Sequence, residues 1–274
     1  MAIEAPYPEL DEFLLAIGEA GHRLSEIEAI EGAAGNISVY LGWPVEPRRK
    51  FPISETIELP EAVPELASKS FMVSGSGRRL REIIQDPAAN LGFVTVNEGG
   101  QAGTLYTSPR RLFARLTSEF NSHLAVHRDQ VRATNTNFHA VIHAQPLHLT
   151  YLSHIRCYQN EEYLNRHLLR WQPELIVQLP KGLGYVPFLV PGSPQLMAAT
   201  VESLRQHRVV VWGKHGVMAR SDQSVKRAAD RIEYAETGAH YEYLNMVNHE
   251  QGEGLTAEDV HAVCQAFGIQ QDIF

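Results

Sequence analysis

The chain has 274 residues, 44% of them hydrophobic, enough to bury a large core in one domain or two. Its net charge of -8 and pI near 5.9, with lysine and arginine scattered rather than striped, exclude a phosphate-backbone footprint and make nucleic acid an unexpected partner. Cys157 and Cys264 are too few for a disulfide framework, no apolar run approaches the roughly 20 residues of a membrane span, and the acidic start at Glu4, Glu9, Asp11 and Glu12 is unlike a signal peptide, so a cytoplasmic protein is expected.

In chain order, Leu10, Phe13, Leu14, Ile17, Leu24 and Ile27 recur at helical spacing, and residues 8 to 30 are expected to form one amphipathic helix with Pro8 at its start and Gly32 as its stop. Ile37–Leu41 alternates like a strand. The proline-rich stretch to Lys69 reads as loop with one strand in it. Phe71-Met72-Val73 is a short buried strand that empties into Ser74-Gly75-Ser76-Gly77, followed by a helix over 79–84. Residues 91–96 and 103–106 flank Asn97-Glu98-Gly99-Gly100 as a hairpin.

Thr117 or Ser118 is expected to cap a helix carrying Phe120, Leu124, His127 and Val131. A strand over 138–143 follows, then helices over 147–154 and 161–171, a strand over 175–179 and a helix over 195–206. Residues 209–212 and 216–219 read as the last pair of strands, and 222–248 and 257–266 as the last helices, with Thr256 capping the second. No linker divides the composition, so the expectation for residues 1–274 is a single α/β domain with a mostly antiparallel sheet flanked by helices.

Five segments carry candidate chemistry. The strand Phe138–His143 runs out through Ala144-Gln145-Pro146-Leu147-His148, a turn bearing imidazoles and a carboxamide. A divalent ion such as zinc takes neutral imidazole nitrogens, and His143 at a strand end and His215 in the turn Trp212-Gly213-Lys214-His215-Gly216 suit a site at a sheet rim. Position 145 shares a strand face with 143 if extended structure continues, which makes Gln145 a third, weaker oxygen donor; His139 and His148 are alternates. Glu119, directly after Thr117-Ser118, is either a first-turn carboxylate favoured by the helix dipole or a base facing the metal. Ser74-Gly75-Ser76-Gly77 resembles an anion nest but is no Walker or dinucleotide fingerprint, and Gly35-Asn36 adds a polar corner at a helix-to-strand joint.

In order along the chain, Gly35-Asn36-Ile37-Ser38, Val73–Gly77, Asp86–Gly92, Thr117-Ser118-Glu119, Val141-Ile142-His143, Pro180–Gly184, Val190-Pro191-Gly192 and His215-Gly216-Val217 resemble the class II aldolase/adducin family, most closely its branch acting on L-rhamnulose 1-phosphate. The resemblance implies a metal-dependent lyase that cleaves a ketose 1-phosphate to dihydroxyacetone phosphate and an aldehyde, L-lactaldehyde, through an enediolate stabilised by a zinc ion. It assigns Glu119 to proton transfer, Asn36, Ser74, Gly75, Ser76, Thr117 and Ser118 to the phosphate, and His143 and His215 to the metal. Glu174 matches a carboxylate that reaches a neighbouring subunit's site, and the implied assembly is a homotetramer with sites at its interfaces. One departure stands out: the family's ligand pair is His-x-His, whereas this chain reads His143-Ala144-Gln145. Gln145 through its oxygen, Glu119 or His148 is left to complete the shell. A related epimerase or decarboxylase, or a catalytically silent adducin-like assembly module, would share the same sequence features.

Overall fold

The computed structural model describes residues 2–249 and 251–274. Its elements run α1 (Leu10–Glu26), β1 (Asn36–Leu41), β2 (Ile53–Glu58), β3 (Ser70–Ser74), α2 (Leu80–Ile83), α3 (Pro87–Asn90), β4 (Leu91–Val96), β5 (Ala102–Thr107), α4 (Phe120–Thr134), β6 (Phe138–Ala144), α5 (Leu147–Leu152), α6 (Glu161–Leu169), α7 (Pro173–Gln178), β7 (Gly184–Val186), α8 (Pro194–Gln206), β8 (Val209–Trp212), β9 (Gly216–Ser221), α9 (Val225–Val247) and α10 (Ala257–Phe267). The strands form one nine-stranded sheet in the order β2-β5-β4-β3-β1-β6-β9-β8-β7. Every pairing is antiparallel except β7 with β8, as the expected mostly antiparallel α/β architecture requires.

Strands β1, β3, β6 and β8 are buried at every position because helices cover both faces of the sheet. The period-2 alternation then sorts their side chains by face. Ile37, Val39 and Leu41 of β1 and Ala140, Ile142 and Ala144 of β6 join a core with α1 and α9. The opposite face packs under α4 and α8, where Val141 shares a core cluster with Val126, Leu196 and Leu204. That second face carries Asn36, Ser38, His139 and His143, buried polar side chains on strands.

Several expectations need correction. Residues 175–178 are helical, not extended, and Leu179 follows as the helix's C-cap: Pro173 fits the first turn of α7, where its missing N–H costs nothing, and the run Leu175-Ile176-Val177 is an apolar helix segment too short to show its period. Strand β7 escaped notice because three residues cannot display alternation. Helix α1 starts at Leu10, after a capping box formed by Glu9 and Glu12, and ends at Glu26, so it is shorter than 8–30 at both ends. The strand anticipated in the proline-rich stretch is β2, an exposed edge strand bearing Glu55 and Glu58, charges that discourage edge pairing.

Helix α1 meets α2 at two glycines. A Cβ on Gly21 would lie 2.4 Å from the carbonyl oxygen of Leu80, and one on Gly18 would lie 2.7 Å from Cα of Ile84. Backbone on the far side cannot yield as a flexible side chain would. Gly21→Ala is therefore expected to lower stability in urea by about 1–3 kcal/mol, the usual cost of overpacking, while Glu19→Ala on the exposed face of the same helix changes it little.

Candidate active site

Antiparallel neighbours place alternate strand ends on one rim. The end of β3, the start of β1, the end of β6 and the start of β9 lie side by side, since Ser38 pairs with Val73, Asn36 with His143, and Ala144 with Val217. Ser74, Asn36, His143 and His215 thus come from four distant parts of the chain to one edge. The turn before β9 packs tightly on the end of β6: a Cβ on Gly216 would lie 2.4 Å from the carbonyl oxygen of Ala144. Only glycine lets His215 settle there.

The imidazoles of His143 and His215 stand with ring centroids 4.8 Å apart. Trp212 forms a wall against both, stacked on His143 at 4.7 Å and on His215 at 5.2 Å, and is itself pinned by Nε1–H donating to Thr200 Oγ1. His143 Nδ1–H donates to the carbonyl oxygen of Val217 at 2.8 Å, which fixes the tautomer and leaves Nε2 as a bare donor atom facing the site. Glu119 completes the group: His143 Nε2 is 3.7 Å from its Oε2, and His215 Nε2 is 3.8 Å from its Oε1. Three donor atoms within 4.8 Å of one another suit a divalent ion, whose ligands stand ~3.4 Å apart at bond lengths of ~2.1 Å. His215 Nδ1 is buried without a partner, so only one of the two rings has the backbone anchor usual for a ligating imidazole.

Glu119 is 5% exposed. It occupies the cap position of α4 but makes no capping bond, and neither Thr117 nor Ser118 caps the helix as expected; Thr117 Oγ1 accepts instead from the Glu119 amide at 3.4 Å. The carboxylate turns inward to Asn36, whose Nδ2–H donates to Oε2 at 2.8 Å. Burial alone would raise the carboxyl's pKa, but His143, the Asn36 hydrogen bond, His215 and His123 together outweigh it and hold it below the usual range. Oε1 accepts no hydrogen bond from the described residues. For His215, burial first and His143 second depress the pKa to about 4, against the pull of Glu119.

The other expected residues are distributed as follows. Gln145 anchors its backbone to Ala29 and lines, with His215, Lys214, Arg81 and Tyr151, a cleft of about 720 Å³. His148 is drawn away from the site: its Nδ1 is 2.7 Å from Glu236 Oε1 and its ring stacks on His240 at 4.0 Å, so it does not complete the shell. His139 is likewise committed, to His127. Ser74, Gly75, Ser76, Thr117 and Ser118 do come together, because the Thr117 amide donates to the Ser74 carbonyl, Gly75 bridges Leu116, and Ser74 Oγ accepts from the amide of Ile37. The turn is not the converging nest of amides expected from its glycines, however. The Gly75 and Ser76 amides are already bonded to Asn90 and Arg115 carbonyls, leaving the hydroxyls of Ser76 and Ser118 without a protein partner among the described residues. Glu174 is exposed in the first turn of α7, a helix that packs on α6, α9 and α10.

Residues 16–243 match the family model described as the class II aldolase and adducin N-terminal domain. The chain belongs to the class II aldolase and adducin family. It is 32% identical over 215 residues to a rhamnulose-1-phosphate aldolase of Escherichia fergusonii, covering 78% of this chain and 77% of that one, and 32% identical over 209 residues to the Listeria monocytogenes serovar 1/2a enzyme of the same name, covering 75% and 74%. Among solved structures, a sugar-phosphate aldolase from Thermotoga maritima superposes with a TM-score of 0.74 at 26% identity, over 89% of this chain and 98% of that one. The enzyme is thus a class II aldolase, a family that works with a divalent metal.

In the sequence His127 is expected only as one residue of the packed helix face and His123 is not singled out, although two histidines one helical turn apart on the buried face of α4 were a signal. In this aldolase both are fully buried, as is His139. Burial foremost drives His123 and His139 down to about 3 and His127 well below its ordinary 6.5. An unfolded chain protonates these rings below about pH 6.5, whereas the folded chain keeps His123 and His139 neutral to about pH 3, so the unfolded state binds more protons across that window. Stability therefore falls as pH falls, by up to about 1.4 kcal/mol per pH unit for each histidine. Urea midpoints of the metal-free protein should drop steadily from pH 6.5 to 4.5; a flat profile there would contradict neutral histidines.

Proposed function

We propose that this class II aldolase cleaves L-rhamnulose 1-phosphate to dihydroxyacetone phosphate and L-lactaldehyde. The named relatives at 32% identity support that substrate, and the observation that carries the chemistry is the convergence of Glu119, His143 and His215 at one rim. His143 and His215 would hold the divalent ion, zinc, with Gln145 as a further oxygen donor from the same cleft. Bound there, such an ion would supply Lewis-acid polarisation of the substrate's carbonyl.

The protein's own groups do the rest. Asn36 holds Oε2 of Glu119 and leaves Oε1 as the oxygen that carries a proton to and from the carbon at which the sugar chain is cut. The hydroxyls of Ser76 and Ser118, with Ser74, Gly75 and Thr117 shaping the turn beneath them, receive the phosphate, and Asn36 borders that pocket. Polar side chains of the cleft, Arg81 and Lys214 among them, meet the sugar hydroxyls. Exposed Glu174 and the exposed apolar Phe188 and Val190 favour an assembly in which neighbouring subunits close the site, a homotetramer with Glu174 reaching across. A cytoplasmic setting accords with a small phosphorylated substrate, and among the described residues no helix is long and apolar enough to cross a membrane.

Incubation with rhamnulose 1-phosphate, with dihydroxyacetone phosphate followed through a coupled reductase, tests the reading. Release should stop on chelation and return with zinc. Glu119→Gln should lower kcat by about 100- to 10,000-fold with bound metal retained, the range expected for removing an acid/base group. Turnover that persists in the stripped protein would refute the metal role, and loss of metal from Glu119→Gln would reassign Glu119 as a ligand.

A further inference from the structure

Behind Asn36 runs a file of polar groups enclosed between α4 and strands β1 and β6. Asn36 Oδ1 is 2.5 Å from His123 Nε2, His123 Nδ1 is 2.6 Å from Ser38 Oγ, Ser38 Oγ is 2.7 Å from His127 Nε2, and His127 Nδ1 is 2.9 Å from His139 Nδ1. Ser38, His123, His127 and His139 are all 0% exposed. The helical repeat stacks His123 and His127 on one face of α4, and the strand repeat turns Asn36, Ser38 and His139 toward them.

We propose that His123, Ser38, His127 and His139 form a one-way hydrogen-bond chain that sets the orientation of the Asn36 carboxamide and, through it, of the Glu119 carboxylate. They are positioning residues, and their effect on turnover rests on the reading of Glu119 as the proton-transfer group.

The direction follows from the two ends. A carboxylate only accepts, so Asn36 must present its NH₂ to Glu119 and its oxygen to His123. His123 then carries its proton on Nε2 and accepts at Nδ1 from the Ser38 hydroxyl. Ser38, having donated once, accepts from His127 Nε2–H, and His127 accepts at Nδ1 from His139 Nδ1–H. His139 Nε2 is left as a bare acceptor, and it is the atom of that ring found buried without a partner. The reverse chain would press the Asn36 oxygen against the carboxylate and strand an N–H at the far end, which costs more than a stranded lone pair with its weaker need for a partner. Around the far end, Arg220 and Arg231 oppose a second proton on His139 and Asp222 favours one; with burial the sum keeps the ring neutral. A neutral file of fixed tautomers has one arrangement, and it is the one that holds Glu119 by Oε2.

Long-range ¹H–¹⁵N spectra of the ¹⁵N-labelled metal-bound protein at pH 7 read the tautomers directly and need no turnover. His123 and His127 should be Nε2–H and His139 Nδ1–H; any of the three in the opposite tautomer, or as imidazolium, overturns the chain. Ser38→Ala interrupts it midway. That variant should shift the Asn36 side-chain amide resonance and lower kcat by about 10- to 100-fold with KM and bound metal unchanged, the scale of a lost buried hydrogen bond, and Ser38→Thr should restore both. An unmoved Asn36 resonance, or an effect that Thr does not rescue, refutes positioning. A wild-type protein inert toward the sugar phosphate but with the stated tautomers and Asn36 shift would leave the chain standing and remove the proposed activity instead.

Discussion

A buried carboxylate is the constraint on which the rest of this structure depends. Glu119, 5% exposed, sits where an isolated charge would cost several kcal/mol, and nothing apolar could stabilise it. What makes it tolerable is a set of groups drawn from four elements: a carboxamide from the first residue of β1, imidazoles from the end of β6 and the entry to β9, and a histidine from α4 behind them. The antiparallel order β3-β1-β6-β9 is what brings these ends to one rim. Fold and site are therefore one problem. A sheet with the same strands in a different order would scatter the partners and leave the charge alone.

The stabilising groups have costs of their own. Three imidazoles in the core give up solvation in exchange for hydrogen bonds to Asn36, Ser38 and one another, so the file from His123 to His139 adds stability only while every ring is neutral and in register. At its far end lie Arg220 and Arg231, cations that burial itself makes less willing to hold their protons; Arg231 donates to the carbonyl of Arg220, and Arg220 to that of Leu204. Positive charge at one end and negative charge at the other polarise the intervening hydrogen bonds in the same sense, from the arginines toward Glu119. The polarity of the site is thus written through the width of the fold rather than at its surface.

The sequence made most of the architecture legible, because elements such as β1, β6, α4 and α9 carry their period over enough residues to show it. It failed where the period had no room: α7 offers three apolar residues in a row, β7 only three residues in all. The rim residues Glu119, His143 and His215 were legible because each stands beside a glycine, a hydroxyl pair or a strand end that marks a turn. Ser38, His123, His127 and Trp212 were not. On a strand or helix buried on all sides, a polar residue looks like a lapse in an apolar pattern, and only the register that sets Asn36 opposite His143 and Tyr40 opposite His139 shows that such lapses face one another. The glycine turn after β3 misled in the other direction, since its amides proved to be spent on Asn90 and Arg115.

Two carboxamides at this rim are held in opposite ways. Asn36 is fixed at both ends, by Glu119 and by His123, so its orientation is set before any substrate or ion arrives. Gln145 is fixed only through its backbone, and its side chain has no protein partner among the described residues; a ligand would have to orient it. An imidazole at position 145 would bring a stronger donor on a stiffer stem. With Glu119 as the proposed proton-transfer group, the proposed chain enters from the α4 side and never touches position 145, so a carboxamide there in place of an imidazole would weaken the grip on a cation without loosening that group. On the function proposed, the two halves of the site are free to vary separately, the cation's half through the turn after β6 and the proton's half through the buried face of α4.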